Sequence, residues 1–188
     1  MNKKQLGFIR NCFKIWLPLA ITITALCGLI YLTVQQSYRM SANDPQIQLA
    51  EDVSVNLANG QNPQNYVPAI KTNLAKSLAV YILIYDSNGK LLASSVEING
   101  KDPVVPSGIF SDTKAKDETR FTWQTPEGIR SALVVKYYKG IGTGFVAVGR
   151  SIKEVEKREN DLQNIVLLGL ISTLVLSFAS VYILQKFK

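Results

Sequence analysis

Arg130 and Lys136 are the two side chains whose type and spacing best suit the binding of a small ligand. They are six residues apart in a segment that alternates like a β-strand, so both are expected on one face of that strand. The other side chains predicted on this face are Ala132, Val134 and Tyr138. A guanidinium group on a partly apolar face can bind a carboxylate through two parallel hydrogen bonds. The alternative places both bases in solvent and builds the core from the opposite face, which carries Leu133, Val135 and Tyr137.

The residue types that many enzymes and metal sites need are missing from the middle of the sequence. The chain has no histidine, and its two cysteines, Cys12 and Cys27, both precede the middle region. Zinc sites, Ser-His or Cys-His catalysis and a disulfide framework are therefore excluded there. The acids are too dispersed for a calcium loop, since they stand at Asp86, Asp112, Asp117 and Glu118. We predict no enzymatic activity, no cofactor and no metal.

Two apolar segments bracket the polar middle and are predicted to cross a lipid bilayer. Residues 15–34 and 165–184 contain no charged side chain. Each has about the 20 residues that a helix needs to cross roughly 30 Å of hydrocarbon. The predicted organisation is a basic tail, a transmembrane helix, an extracytoplasmic domain, a second transmembrane helix and a short tail, with the boundaries 1–14, 15–34, 35–163, 164–184 and 185–188.

The charge distribution predicts that both tails are cytoplasmic. The tails contain no acid, and their bases are Lys3, Lys4, Arg10, Lys14, Lys186 and Lys188. The other 15 of the 21 basic residues lie in the middle region with all 14 acids, a mixture that argues against nucleic-acid binding. Because cytoplasmic loops carry the excess of Lys and Arg, the middle domain is expected outside the cytoplasm. The first apolar segment is too long for an ordinary signal peptide and is predicted to remain as an anchor.

The middle domain opens with helical spacing. Asn43-Asp44-Pro45 offers a capping residue followed by proline at the first helical position, and Asn59-Gly60 ends the helix. The stripe predicted to face the core is Ile47, Ala50, Val53, Ser54 and Leu57. A second helix is predicted to begin near Asn62-Pro63 or Asn65, with the stripe Val67, Ile70, Leu74 and Leu78.

Five strands are predicted after these helices. Residues 80–96 read as a hairpin around the turn Asp86-Ser87-Asn88-Gly89, and the first strand is apolar on both faces. Residues 97–118 show no periodicity, which is unusual for a connection of this length in a compact domain. The remaining three strands are predicted at Arg120–Thr125, Ile129–Tyr138 and Phe145–Arg150. We interpret the glycine-rich segment 140–144 as a flexible turn, because a strand rather than a helix follows it.

Helical periodicity returns at Ser151 and continues without glycine or proline to the second apolar segment. Ser151 and Glu154 have the spacing of a capping box, and one helix is predicted from about Ile152 to Leu184. Small residues recur every four positions in both apolar segments, as Ala20, Thr24 and Gly28 and as Gly169, Thr173 and Ser177. Such stripes allow close helix packing in lipid, so the spans are expected to pack together or across a homodimer.

The order of these elements resembles the extracytoplasmic PAS-like (single Cache, or PDC) sensor domain of bacterial sensor histidine kinases and chemoreceptors. The residues that carry the resemblance are Tyr81-Ile82-Leu83-Ile84-Tyr85-Asp86-Ser87-Asn88-Gly89-Lys90-Leu91-Leu92-Ala93-Ser94-Ser95 and Gly144-Phe145-Val146-Ala147-Val148-Gly149-Arg150-Ser151-Ile152. The first stretch is similar to the family's strand, Asp-x-x-Gly, strand element, and the second to its last strand leading into the exit helix. The fold expected from the resemblance is α+β, with a five-stranded antiparallel sheet and N-terminal helices between two transmembrane helices.

The resemblance implies a sensor module in a bacterial plasma membrane, with a ligand pocket between one sheet face and the long connection. The residues expected to line that pocket are Tyr81, Leu83, Tyr85, Phe121, Trp123, Arg130, Lys136 and Tyr138. The expected partners are a small molecule such as a carboxylate, a second copy of the chain, and a histidine kinase region or partner. Because family members continue into a transmitter and this sequence stops at Lys188, it reads as the sensory part of a kinase or as a stand-alone sensor. The alternative function is an accessory or structural membrane protein whose outer domain binds another protein.

Overall fold

The computed structural model describes residues 3–41 and 44–187, and the chain divides into two compact units. One unit comprises residues 39–156, and the other comprises the helical segments that precede and follow it in the chain. The elements in chain order are α1 (Lys3–Ser41), α2 (Asp44–Ala58), a 3-10 turn (Pro63–Tyr66), β1 (Thr72–Asn73), β2 (Tyr81–Asp86), β3 (Leu91–Ser94), β4 (Val96–Glu97), α3 (Gly108–Lys116), β5 (Glu118–Gln124), β6 (Arg130–Lys139), β7 (Thr143–Ser151) and α4 (Lys153–Lys186).

A five-stranded antiparallel sheet forms the centre of the 39–156 unit and confirms the predicted α+β architecture. Its strand order is β3-β2-β7-β6-β5, so the last strand of the domain lies in the middle of the sheet. β1 and β4 form a separate two-stranded parallel sheet in which Thr72 is paired with Val96. The hairpins predicted around Gly89 and after Trp123 are both present.

The two faces of the large sheet pack against different parts of the chain. We call the face that packs against the connection between β4 and β5 the connection face, and the face that packs against α2 the helix face. The buried core of the connection face consists of Leu74, Tyr81, Leu83, Tyr85, Val96, Ile98, Val105, Phe110, Trp123, Leu133, Val135, Phe145 and Ala147. The buried core of the helix face consists of Ala50, Val53, Leu57, Ile82, Ile84, Ala93, Val134, Tyr138, Val146 and Val148. Because neighbouring residues of a strand point to opposite faces, β2 and β6 contribute to both cores.

The first predicted helix of the domain is confirmed as α2. Its buried side chains include Ala50, Val53, Ser54 and Leu57, and it ends before Gly60, whose φ is +87°. Gln46 is also buried, although the periodicity did not select it. The predicted capping residue, Asn43, lies outside the described residues.

The second predicted helix is wrong, because the segment forms only the 3-10 turn. The Asn62 side chain accepts a hydrogen bond from Gln64 N at 3.0 Å, and Pro68 forces the residue before it out of the helical region. Leu74 is buried beside the small parallel sheet, where its N–H donates a hydrogen bond to Glu97 O at 2.9 Å. Ile70, assigned to the same helical stripe, is 86% exposed. Prolines and side-chain capping therefore prevail over an apolar spacing that suits a helix.

The long connection contains α3, which sequence periodicity did not reveal. Phe110 and Thr113 are the buried side chains of this short helix, too few to define a period. The Phe110 ring lies 4.8 Å from the Tyr85 ring and 4.9 Å from the Phe145 ring, centroid to centroid. Through Phe110, α3 packs onto the connection face of the sheet.

The glycine-rich turn between β6 and β7 is a packing element, which corrects its interpretation as a merely flexible turn. A Cβ at Gly140 would stand 2.3 Å from the carbonyl oxygen of Ala58, and one at Gly142 would stand 2.6 Å from that of Leu57. The N–H of Ile141 donates to Ala58 O at 2.7 Å. These contacts satisfy a carbonyl at the end of α2, where a helix has no partner of its own.

α1 and α4 are helices long and apolar enough to span a membrane. The single continuous helix predicted over residues 152–184 is confirmed as α4. Its start differs in detail from a capping box, since the Ser151 hydroxyl accepts a hydrogen bond from Lys153 N at 3.4 Å.

Aromatic side chains, rather than the predicted stripes of small residues, make the contact between α1 and α4. The indole N–H of Trp16 donates to Ser177 Oγ at 2.9 Å, and the Trp16 ring stands edge-on to Phe178 at 5.4 Å. Ala20 and Ser177 lie at this contact, but Thr24, Gly169 and Thr173 are exposed. The prediction of helix packing is therefore confirmed, but only Ala20 and Ser177 of the predicted stripes lie at the contact.

Candidate functional site

The structure divides the eight predicted site residues between the two faces of the sheet. Tyr81, Leu83, Tyr85 and Trp123 are buried on the connection face, and Phe121 packs against them. Tyr138 belongs to the helix-face core. Arg130 and Lys136 are on its side of β6, as the spacing predicted, since residues an even number apart share a face. A single pocket lined by all eight residues is therefore wrong.

Neither basic residue faces the connection. Lys136 forms an ion pair with Glu51 of α2, and Arg130 forms one with Glu156 in the first turn of α4. A ligand carboxylate would have to displace a protein carboxylate that each base already holds. Of the alternative core, Leu133 and Val135 are fully buried and Tyr137 is half-buried.

A cleft of about 400 Å³ opens between the connection and the β5–β6 hairpin, and we call it the Asp102 cleft. Its lining residues are Ile98, Asn99, Lys101, Asp102, Pro103, Val104, Trp123, Thr125, Pro126 and Glu127. The cleft lies beside the connection face, where the predicted pocket was expected. Trp123 is the predicted site residue that lines it.

A second cavity of about 450 Å³, which we call the edge cavity, lies between the segment after the 3-10 turn and β3. Its lining residues are Gln64, Val67, Pro68, Ala69, Lys71, Leu91, Leu92, Ala93, Ser94 and Asp102. Asp102 lines both cavities and forms an ion pair with Lys71. Periodicity could not have selected Asp102, because it lies in an irregular segment. The nearby turn residues Asn99-Gly100 and Pro103 indicated a connection between elements, but not a ligand site.

Three buried hydroxyl groups lie on the connection face without a hydrogen-bond partner in the described protein: Tyr81 OH, Tyr85 OH and Ser131 Oγ. Burial raises the pKa of Tyr81, an effect that the nearby Ser131 hydroxyl partly offsets. Burial also raises the pKa of Tyr85, an effect that the nearby Val105 backbone partly offsets. Both phenols therefore stay protonated at neutral pH and can donate hydrogen bonds. Buried polar groups are nearly always paired in native proteins, so unpartnered hydroxyls mark a site of interest.

The position of the Tyr81 ring depends on a glycine in the neighbouring strand. Gly149 of β7 pairs with Tyr81 of β2, and a Cβ at Gly149 would stand 2.3 Å from Tyr81 Cζ and 2.4 Å from its hydroxyl oxygen. The ring therefore lies flat over the backbone of the sheet. The aromatic ring occupies the space that a side chain would otherwise take.

The acids of the connection and β5 are held by nearby bases rather than grouped for a cation. Asp112 lies 3.8 Å from Lys116 one helical turn later, and Glu118 pairs with Arg120. Within residues 3–41 and 44–187, no three His, Cys, Asp or Glu side chains are grouped so that they could hold a metal ion.

Comparisons with known proteins give only distant structural similarity. No protein-family model matches the sequence, and no curated protein matches it. A solved structure described as the ligand-binding domain of the Pseudomonas aeruginosa PAO1 amino acid chemoreceptor PctC in complex with GABA matches at 18% identity and a TM-score of 0.44. The match covers 71% of this chain and 63% of that chain, which is less than two thirds of its length. At this distance the similarity carries no argument about ligand or mechanism.

Proposed function

We propose that this chain is the sensory module of a two-pass bacterial membrane protein, and that its outer domain detects a small polar molecule in the Asp102 cleft. The observation that carries the proposal is the site on the connection face. An open cleft lies beside a sheet face that buries three hydroxyl groups without partners. A concave site with an apolar wall and a few polar groups is the usual form of a small-molecule site.

The lining of the cleft favours a polar ligand without a strong net charge. Lys101 contributes a positive group at the cleft, whereas Asp102 and Glu127 contribute negative ones. A carboxylate remains one candidate, with Lys101 rather than Arg130 as the positive group at the cleft.

The membrane topology supports a role in transmission. α1 and α4 have the length and composition of membrane spans, and the basic residues of the tails favour cytoplasmic ends. The continuous helix α4 begins in the 39–156 unit at Lys153 and contains the second apolar segment. We propose that ligand binding alters the position of this helix and that a histidine kinase region or partner protein reads the change. Signalling of this kind requires different affinities for two states.

A thermal-shift screen of the full chain in lipid nanodiscs tests the proposal. The panel should contain small carboxylates, amines, zwitterions and neutral polyols. A compound at about a hundred times its dissociation constant adds about 2.7 kcal/mol of stability. In a domain of this size that raises Tm by roughly 8–10 °C. Asp102→Asn should abolish or reduce the shift, while Asp112→Asn, which changes an exposed acid outside the cleft, should leave it unchanged. Absence of any stabilising compound, or an equal loss in both variants, would argue against the cleft as a sensor site.

An accessory protein that binds another protein is the second candidate, and one surface feature favours it. Ile70 and Val104 are 86% and 81% exposed. Ile70 directly precedes Lys71, and Val104 lies two residues after Asp102, the ion-pair partner of Lys71. Exposed apolar side chains of this kind are common at protein interfaces. Chemical crosslinking in native membranes distinguishes the candidates. A crosslinked partner that is lost in Ile70→Ser/Val104→Ser, together with no ligand in the screen, would favour the accessory role.

A further inference from the structure

We propose that the turn between β5 and β6 couples the Asp102 cleft to the first turn of α4. This inference concerns regulation of the proposed site and rests on the proposed function, because the cleft is its input. The last strand, β7, leads directly into α4 along the chain. The contacts point to a second path through Arg130, the residue that begins β6.

The turn forms one wall of the cleft and is held as a rigid loop. Its lining residues are Trp123, Thr125, Pro126 and Glu127. Thr125 is buried, and its N–H donates to Ile129 O at 3.0 Å. The N–H of Ile129 donates to Thr125 Oγ1 at 3.3 Å, and that of Gly128 donates to Thr125 O at 2.9 Å. A displacement of this wall therefore moves Ile129 with it.

Arg130, the residue after Ile129, contacts Ile152 through its backbone and Glu156 of α4 through its side chain. The N–H of Ile152 donates to Arg130 O at 3.1 Å, and the Arg130 guanidinium pairs with Glu156. The N–H of Glu156 in turn donates to Ile152 O at 2.9 Å. These contacts connect the start of β6 to Ile152, the residue before α4, and to Glu156 in the first turn of the helix.

A row of paired residues across the sheet follows the same path. Trp123 of the cleft wall is paired with Ser131 of β6, which is paired with Ser151 of β7. The Ser151 hydroxyl accepts the hydrogen bond from Lys153 N at the beginning of α4. Ser131 is also the residue whose hydroxyl lies near Tyr81. The cleft and the buried hydroxyl groups thus share one row that leads to α4.

The opposite wall of the cleft is held by other contacts. Lys101 and Ile98 exchange backbone hydrogen bonds of 3.0 and 2.8 Å, and Asp102 pairs with Lys71. These contacts fix the connection to itself and to the segment before β1. Disturbing that wall is therefore expected to leave α4 unaffected, which supplies a matched control.

Two glycines allow the two walls to be strained equally. Gly128 has φ +82° and Gly100 has φ +76°, and a Cβ at either position would meet no atom within 4 Å. Gly128→Ala and Gly100→Ala therefore impose the same kind of backbone strain without a steric clash.

The measurement is hydrogen exchange by mass spectrometry on the full chain in nanodiscs. Exchange at the amides of Ile152 and Glu156 reports opening at the start of α4.

Gly128→Ala should raise exchange at these amides roughly fivefold, while Gly100→Ala should change it less than about twofold. An equal rise in both variants, or no rise in Gly128→Ala, overturns the proposal. In a Glu156→Gln background, the rise caused by Gly128→Ala should fall to less than half. An undiminished rise there overturns the role of the ion pair, because removing a coupled contact must give a non-additive result.

The test needs no ligand, so its failure is distinguishable from failure of the proposed function. If exchange at the start of α4 rises only in Gly128→Ala and no compound stabilises the protein in the thermal-shift screen, the coupling is supported and the sensor role is overturned. If a compound stabilises the protein through Asp102 and exchange is equal in the two glycine variants, the sensor role is supported and the coupling is overturned.

Discussion

Removing the hydroxyl group of Tyr81 should stabilise the domain formed by residues 39–156. The Tyr81 hydroxyl is buried and has no hydrogen-bond partner in the described protein. Tyr81→Phe preserves the ring, which is the part that packs over Gly149 and in the connection-face core. The substitution therefore isolates the cost of burying one polar oxygen.

The magnitude follows from the surroundings of that oxygen. Burying an unpaired hydroxyl costs about 1–3 kcal/mol in protein mutational data. The Ser131 hydroxyl lies close enough to offset part of the effect of burial on the Tyr81 pKa, so the lower end of the range applies. We expect Tyr81→Phe to raise the free energy of unfolding by about 1 kcal/mol.

Urea unfolding of the 39–156 unit within the full chain measures this change, with Trp123 fluorescence as the signal. The chain has two tryptophans, so Trp16→Phe makes Trp123 the only one. Tyr66→Phe is the matched control, because the Tyr66 hydroxyl is bonded to Gln61 Oε1. The control should lose about 0.5 kcal/mol. A loss of stability in Tyr81→Phe as large as that in the control would refute the reasoning.

The same buried phenols predict a loss of stability in alkali. Burial raises the pKa of Tyr81 and Tyr85 above the ordinary value of 10.0. Above pH 10 the unfolded chain releases these protons while the folded chain keeps them. The stabilisation is therefore complete below pH 10 and falls above it by about 1.4 kcal/mol per pH unit for each tyrosine. Burial and the nearby Asp86 also raise the pKa of Tyr138, so Tyr81→Phe should remove only its own share of the slope in urea titrations at stepped pH. An unchanged slope would contradict the burial of this phenol.

Two further substitutions test the packing that supports the account. Gly149→Ala should destabilise the 39–156 unit by about 1–3 kcal/mol in urea unfolding, since its Cβ would overlap Tyr81, and a cost below about 0.5 kcal/mol would show that the ring can move. Trp16→Phe should weaken the α1–α4 contact by about 0.6 kcal/mol in detergent unfolding, because the edge-on ring contact can remain. Ser177 keeps its bond to Leu174 O at 2.9 Å, so a cost well above 2 kcal/mol would contradict this assignment.

The central strands could be predicted from sequence because their signals are local. β2 is apolar on both faces, and its turn is marked by Asp86, whose side chain accepts hydrogen bonds from the N–H groups of Asn88 and Lys90. β6 and β7 follow the same logic, since each is a run of apolar residues bounded by turn residues. The five strands and the helix after Ser151 required no knowledge of distant contacts.

The predictions that failed concern residues whose environment is set by contacts between distant parts of the chain. Leu74 is buried through pairing with a strand more than twenty residues later, whereas its helical spacing suggested a role in a helix. The spacing of Arg130 and Lys136 correctly predicted a shared face, but not which face. The face on which the two bases lie is the one covered by α2, which places Glu51 beside Lys136. The connection, which includes Asp102, covers the other face. A strand pattern defines two faces and cannot name the element that covers each of them.

Fluorescence of Trp123 in the Trp16→Phe chain, titrated with a compound that raises Tm, tests the central claim most directly. Trp123 lines the Asp102 cleft and is buried in the wall of the connection face. The account predicts a saturable change in emission at the concentrations that stabilise the domain, and its loss in Asp102→Asn. Stabilisation that leaves the Trp123 emission unchanged would place binding elsewhere and contradict the account.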